Sequence, residues 1–571
     1  LKPTPMKKVI IFACILLLVE CVSAQTPNAD IWIPDGSVNT IAVDGNYTYI
    51  GGDFSKIGQS TGFGVKLTTT NSTPDKNFPK VNSFIKLCIP DGSGGWYIVG
   101  GFTFVGGQSR NSIARINSDG TVNSWNPNAN GNVYAIAVSG NDIYVGGTFT
   151  TIGGQSRNKI AKLNNTNGNA DASWNPNANN DVNTIAINGT DIYAGGSFTT
   201  IGGQTRNRIA KLNNTNGNAD ASWNPFSNGI VNTIVVTATD VYAGGEFSFI
   251  GGQLRDRIAK INNATGNADA AWNPNANGTI YTIVLNGTEI YAGGDFTTIG
   301  GQTRNYIAKL NNTNGNADAS WNPNASSSVN SILVNGSDIY AGGGFTTIGG
   351  LSRSYAAKLN NTTGAADATW NPKPNSIVNT IAVSGTSVFV GGSFFLFGAQ
   401  TMNGIARINN QNGRLDSSWT PNPSGGISSI VVSGSDIYVG GFFTSIGGQS
   451  RNYIAKLNNT NGNADASWNP NAGSSVVAIA VNGTDVYASG YFTSIGGQSR
   501  NRIAKLNNTN GNADATWNPN ASSLVKTLAV SGNDIYAGGQ FTTIGGQTRN
   551  YIAKLNNTNG NADAAWDANA N

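Results

Sequence analysis

The chain of 571 residues contains no histidine, two methionines and three cysteines. Without histidine there is no Ser-His-Asp or Cys-His catalytic arrangement and no His-ligated zinc. Charged residues make up only 11%, against roughly 25% in an ordinary globular protein. The formal net charge of +4 falls to +2 once Lys2, Lys7, Lys8 and Glu20 are set aside, because they lie in a segment expected to be removed. A nucleic-acid binder carries a basic stripe; none is present, so no nucleic-acid partner is expected. Beyond Glu20 the only glutamates are Glu246 and Glu289. A two-carboxylate glycosidase built from aspartates stays open as an alternative, but nearly every Asp recurs at a repeated position, whereas active sites are normally singular. The expectation is a protein without catalysis, cofactor or metal. Cys14 and Cys21 lie in the N-terminal segment, which leaves Cys88 alone and no intrachain disulfide framework.

Long apolar runs are also missing, apart from one. Residues 9–19 form an apolar stretch of eleven residues after Met6, Lys7 and Lys8. The small-residue pattern Val22-Ser23-Ala24 follows, just before Gln25. Together these read as upstream residues plus a secretory signal peptide over residues 1–24. Eleven residues fall short of the ~20 a transmembrane helix needs, and Glu20 argues against a lipid on Cys21. A secreted or cell-surface protein with no membrane span is expected.

What fills the chain instead is repetition. Trp recurs at 125, 174, 223, 272, 321, 370, 419, 468, 517 and 566, always 49 residues apart, and two looser copies begin at Trp32 and Phe78. Residues 25–571 are therefore one unit copied about eleven times, and a period of this length means a solenoid, a propeller or an array. The first two copies are the most divergent, and within the 49-residue array the copy from Trp370 to Ser418 has Gly398-Ala399 in place of a Gly pair and Met402 in place of Arg, so a seam is expected near residues 370–419.

Within residues 174–222 the run VNTIAI is followed by Asn188-Gly189, a hairpin signal, and then by DIYA, closed by Gly195-Gly196. SFTTIGGQTRN reads as a loop, RIAKL as a third strand, Asn216-Gly217 as a turn, and residues 219–223 as a fourth short strand ended by Asn224-Pro225. No stretch has the 3.6-residue period of an amphipathic helix. The apolar residues supply both faces of so small a sheet, which calls for burial between siblings. The reading is an all-β protein, a β-propeller of about eleven four-stranded antiparallel blades, either tandem propellers or one large ring. Residues 29–32 are expected to complete the last blade, although residues 562–566 offer that blade a fourth strand of its own.

At DIYAGG, RIAKLN and the distant Trp, the unit resembles the kelch blade, and more closely the bacterial delta-60 repeat. The residues that carry this second resemblance are Gly195-Gly196-Ser197-Phe198, Gly202-Gly203, Arg206-Asn207, Ile209-Ala210, Leu212-Asn213 and Trp223. The resemblance implies a propeller with no agreed activity. It also implies a bacterial source, so that sequons such as Asn188-Gly189-Thr190 and Asn213-Asn214-Thr215 are expected to be bare.

Trp174, Trp223, Trp272, Gly195, Gly196 and Arg206 stand for the architecture. Arg206 and its counterparts admit an anion-binding ring of guanidiniums or, more simply, one salt bridge per unit to the Asp of NAD or of DIY. NNTNGNAD admits a calcium loop, but Leu212 stands where the first ligand belongs, and a turn is preferred. Two positions vary between copies. The one after the strand-two Gly pair reads Thr148, Ser197, Glu246, Asp295, Gly344, Ser393, Phe442, Tyr491 and Gln540. The one after Arg-Asn, or its equivalent, reads Lys159, Arg208, Arg257, Tyr306, Tyr355, Tyr453, Arg502 and Tyr551. Tyr and Arg favour interface hot spots, so Arg208, Arg257, Tyr306, Tyr355, Tyr453, Arg502, Tyr551, Phe442 and Tyr491 form the candidate binding surface, set against simple drift at an exposed site. The functional expectation is a binding or scaffold protein for a protein or polysaccharide partner. The alternatives are an exported propeller enzyme working through Asp residues, or a structural spacer.

Overall fold

The computed structural model describes residues 32–44, 47–68, 74–75, 78–384, 387–394, 396–409, 415–566 and 568. The expected signal peptide lies outside them. Every named element among them is a β-strand, as the alternating, β-branched runs require, and none is a helix long and apolar enough to cross a membrane.

The regular unit differs from the expected four-stranded blade. Val182–Asn188, Asp191–Gly196 and Ile209–Asn213 form a three-stranded antiparallel sheet. Thr200–Ile201 and Gln204–Thr205 form a separate two-stranded hairpin inside the segment read as a loop. The expected fourth strand shrinks to the single bridge Leu212↔Ala219. The hairpin turns on Gly202 and Gly203, both with positive φ. A Cβ on Gly202 would meet the Ala219 nitrogen at 2.4 Å, so this Gly pair closes a turn. Gly202 donates to Pro176 at 2.6 Å and accepts from Ala219 at 2.9 Å. That pins the hairpin to the WNP segment of its own repeat and leaves too little free backbone for a fourth strand.

The repeated Trp ties its unit to the one before. Trp223 is fully buried, packs edge-on against Tyr193 of the unit before at 5.4 Å, and donates its indole N–H to Asn262 of its own unit at 3.2 Å. The first strands are joined along their inner edge as well: the Thr184 hydroxyl accepts from the Ile234 amide at 3.3 Å, and Ser331 accepts from Ile381 at 3.1 Å.

Following these contacts sorts the units into two sets. The first strands Ile85–Pro90, Val133–Ser139, Val182–Asn188, Val231–Val236, Ile280–Asn286, Val329–Asn335 and Val378–Ser384 pack in that order, and Val378–Ser384 then packs against Ile85–Pro90. The last contact uses the same chemistry as the others. Thr380 accepts from the Cys88 amide at 3.2 Å, and Phe78, in the place of a Trp, meets Phe389 edge-on at 5.2 Å. The first strands Ser37–Asp44, Ile427–Ser433, Val476–Asn482 and Val525–Ser531 form a second row. Its ends are uncovered: Ile41 is 63% exposed where Ile185 is 9%, and Thr527 and Ala529 are exposed at the other end.

The two sets exchange strands. Ser387–Gly392 takes Gly64–Thr68 as its third strand, while Ile405–Asn409 pairs with Tyr47–Asp53. Leu396–Thr401 pairs with Lys56–Ser60, which also pairs with Trp32–Pro34. Trp32 therefore does not complete the last unit, as the expectation for residues 29–32 had it; residues 29–31 lie outside those described. The last unit likewise has only the bridge Leu555↔Ala562 in place of a fourth strand.

Candidate functional site

At the start of each regular first strand the pairing slips by one residue. Val182 faces Gly196 and Thr184 faces Gly195, which leaves Asn183 in a bulge. A bulge re-aims its extra side chain, here into the space the first strands enclose. Around the seven-unit set the bulged residues are Lys86, Tyr134, Asn183, Asn232, Tyr281, Asn330 and Asn379. All seven line one cavity of about 360 Å³, to which every first strand of the set contributes. It opens into a mouth of about 510 Å³, lined by Phe84, Lys86, Tyr134, Asn183, Asn232, Glu246, Tyr281, Ser328 and Asn330.

The mouth is chemically uneven. Tyr281 donates its hydroxyl to the Asp295 carboxylate. Burial, that bond, and the charges of Asp295 and Glu246 hold the phenol above its ordinary range. Lys86, three units away, has an exposed surface on the cavity yet is surrounded by protein, and that burial pulls its pKa down. Asn379 donates to the Ile85 carbonyl at 3.1 Å. Asn183, Asn232 and Asn330 make no side-chain hydrogen bond among the described residues, whereas the asparagines of the turns are spent. The Asn213 carboxamide, for example, accepts from Thr215 at 2.8 Å and from Asn216 at 3.2 Å. This use explains NNTNGNAD as a turn, and no group of three potential metal ligands occurs among the described residues.

Arg206 makes neither the expected salt bridge nor an anion site. It is 4% exposed and donates to two backbone carbonyls, of Thr205 at 2.8 Å and of Asp220 at 2.6 Å. Its counterparts do the same, with Arg157 on Asp171 and Arg304 on Asp318. The carboxylates pair with lysine instead: Lys211 lies 3.9 Å from Asp191 and 2.8 Å from Asp220. The guanidinium's fork suits two converging carbonyls, which the spacing of Arg and Asp in sequence does not reveal. Gly196 and Gly195 have separate reasons. A Cβ on Gly196 would meet the Asp181 carbonyl at 2.1 Å, and one on Gly195 would meet Thr184 and Val231 at 2.7 Å. The second glycine thus lets strands cross and the first lets the next unit approach.

The variable residues after Arg-Asn share an unusual backbone. Lys159, Arg208, Arg257, Tyr306, Tyr355, Tyr453, Arg502 and Tyr551 all have φ between 64° and 67°. Both main-chain groups are engaged: Arg208 donates to Phe198 at 2.8 Å and accepts from Gly196 at 2.9 Å. Three of their side chains reach the other variable position: Arg257 donates to the Glu246 carbonyl at 2.9 Å, Lys159 to that of Thr148 at 2.8 Å and Arg502 to that of Tyr491, whereas Arg208 donates to Ser227 at 3.3 Å. The two variable positions are thus neighbours on one face, but the units divide them. Arg208, Arg257, Tyr306 and Tyr355 belong to the seven-unit set; Phe442, Tyr453, Tyr491, Arg502 and Tyr551 belong to the other row. Phe442, Tyr491 and Tyr551 are 56%, 48% and 45% exposed. The bulge residues Lys86, Tyr134 and Tyr281 were missed; the signal was the departure from Asn at the second position of VNTI.

Eight stretches, residues 92–124, 141–173, 191–222, 241–271, 289–320, 435–467, 486–516 and 533–565, match a family described as a domain of unknown function (DUF5122) beta-propeller. No curated protein matches. Among solved structures the chain is similar to the WD40 beta propeller domain of Doa1, with 11% identity over 58% of this chain and 95% of that one and a TM-score of 0.41. It is also similar to BamB from Moraxella catarrhalis, with 14% identity over 62% and 93% and a TM-score of 0.32. The computationally designed Ika8 protein is similar as well, with 10% identity over 74% and 97% and a TM-score of 0.30.

Proposed function

Because the chain is an array of β-propeller repeats, we propose that it is an exported binding protein. In this reading the seven-unit set is a closed propeller, joined through exchanged strands at a seam near residues 370–419 to a second, four-blade array, and it presents the mouth of its channel to a partner. The observation that carries the reading is a division of labour among residues. Away from the bulges, side chains that recur from unit to unit are consumed within the fold, as Arg206, Lys211 and Asn213 are. Residues that depart from the repeat, Lys86, Tyr134 and Tyr281 in place of the bulge Asn and Glu246 at a variable position, converge with the bulge asparagines on one mouth, and a concave site with a few convergent polar groups is the usual form of a ligand site. Residues 1–24 direct export, and a product beginning at Gln25 is expected when the whole chain is expressed in a secreting host.

The test is retention on immobilised peptide and glycan arrays, comparing the natural chain with a triple variant Lys86→Met, Glu246→Gln, Tyr281→Phe. Retention lost in the variant supports the proposal; no retention, or retention indifferent to the three changes, overturns it. One observation favours a second reading, an enzyme acting on polysaccharide: Glu246 lines the mouth together with Tyr281, whose hydroxyl donates to the Asp295 carboxylate. Release of reducing ends from a polysaccharide, abolished by Glu246→Gln, would decide for it.

A further inference from the structure

We propose that the mouth of the seven-unit channel holds the end of a neutral oligosaccharide. This rests on the binding reading above and names its ligand. The unspent amides of Asn183, Asn232 and Asn330 each offer a donor and an acceptor, and a sugar hydroxyl is both at once. Three such amides around one opening match a ring of hydroxyls more closely than they match an ion. The Glu246 carboxylate, with no side-chain partner among the described residues, can accept from two vicinal hydroxyls. Tyr134 and Tyr281, three units apart, set aromatic rings on opposing sides of the mouth, and their amphipathic rings suit a ligand with one apolar face and polar edges.

Other ligands fit less well. An anion would meet Lys86, but also Glu246 and Asp295. A peptide strand would need an open sheet edge, whereas inner-edge amides such as that of Ile234 are already taken by hydroxyls of the neighbouring unit. The mouth, at about 510 Å³, lies within the range of roughly 300–1,000 Å³ typical of small-ligand sites.

The experiment is calorimetric titration of the full chain with neutral tetrasaccharides of gluco, manno, galacto and xylo configuration, beside a tetra-uronate. The double variant Asn183→Ala, Asn232→Ala is titrated in parallel, with near-ultraviolet circular dichroism checking that the Tyr–Trp pairs persist. Binding of a neutral saccharide that weakens about tenfold in the double variant, as the loss of two or more hydrogen bonds predicts, supports the proposal. No neutral saccharide bound, preference for the uronate, or affinity unchanged in a folded double variant overturns it. In those cases mouth-dependent retention of a peptide on the arrays leaves the binding reading standing, and its absence removes both.

Discussion

Tyr551 and its counterparts hold a left-handed backbone at a position where the divergent copy has Gly404, with φ 63°. For an L-residue that conformation costs roughly 1–2 kcal/mol, and β-branching stiffens it further. Tyr551→Gly is therefore expected to keep or raise the urea midpoint, and Tyr551→Val to lower stability by about 1 kcal/mol relative to the natural chain. Equal behaviour of the two variants would contradict a backbone role at this position. Arg206 makes the opposite case, in which the side chain is indispensable. Arg206→Met imitates Met402 but removes the donors to the partly buried carbonyls of Thr205 and Asp220, at a cost of about 1–2 kcal/mol. A urea midpoint unchanged in Arg206→Met would show that these carbonyls find water instead.

Within a unit, the Lys between two carboxylates ties the second and third strands to the turn beyond. Burial pushes the Asp220 carboxyl up, but the Lys211 ammonium and the Ser222 hydroxyl and amide outweigh it and hold it at about 2. An unfolded Asp titrates near 3.9, so this contribution is complete above about pH 4 and is lost as the pH falls toward 2. The thermal midpoint is expected to stay level from pH 7 to about 5 and to drop between about 4 and 2, with Lys211→Met making the drop shallower. An equally steep drop in that variant would place the acid sensitivity elsewhere. Much of the unit was legible: three strands, both Asn-Gly turns and the buried Trp follow from alternation and turn chemistry. The outer hairpin was not, because strands as short as Thr200–Ile201 carry no period, and their stability comes from Gly202 bonding to Pro176 rather than from their own residues. The mouth was equally hidden, since a bulge breaks the alternation that tells inside from outside.

For the molecule as a whole, the repeat announced stacked units but not their order. Gly64–Thr68 and Ile405–Asn409 carry the same pattern, and each pairs in the same register: Val390 faces Val65, and Ile50 faces Ala406. Either third strand satisfies either partner, so the exchange is invisible in sequence. The seven-unit order instead rests on the contact between Ile85–Pro90 and Val378–Ser384, where the Cys88 sulfur lies 3.4 Å from the Thr380 hydroxyl. Burial pushes the Cys88 thiol up to about 12, against the opposing Thr380 hydrogen bond, so it stays a protonated, unreactive thiol while the contact holds. The most direct measurement is mild oxidation of Thr380→Cys followed by peptide mapping. The account predicts a disulfide within one chain that joins the peptide containing residue 88 to the one containing residue 380. Thiols that stay free in the folded chain, or that link only between chains, would contradict it.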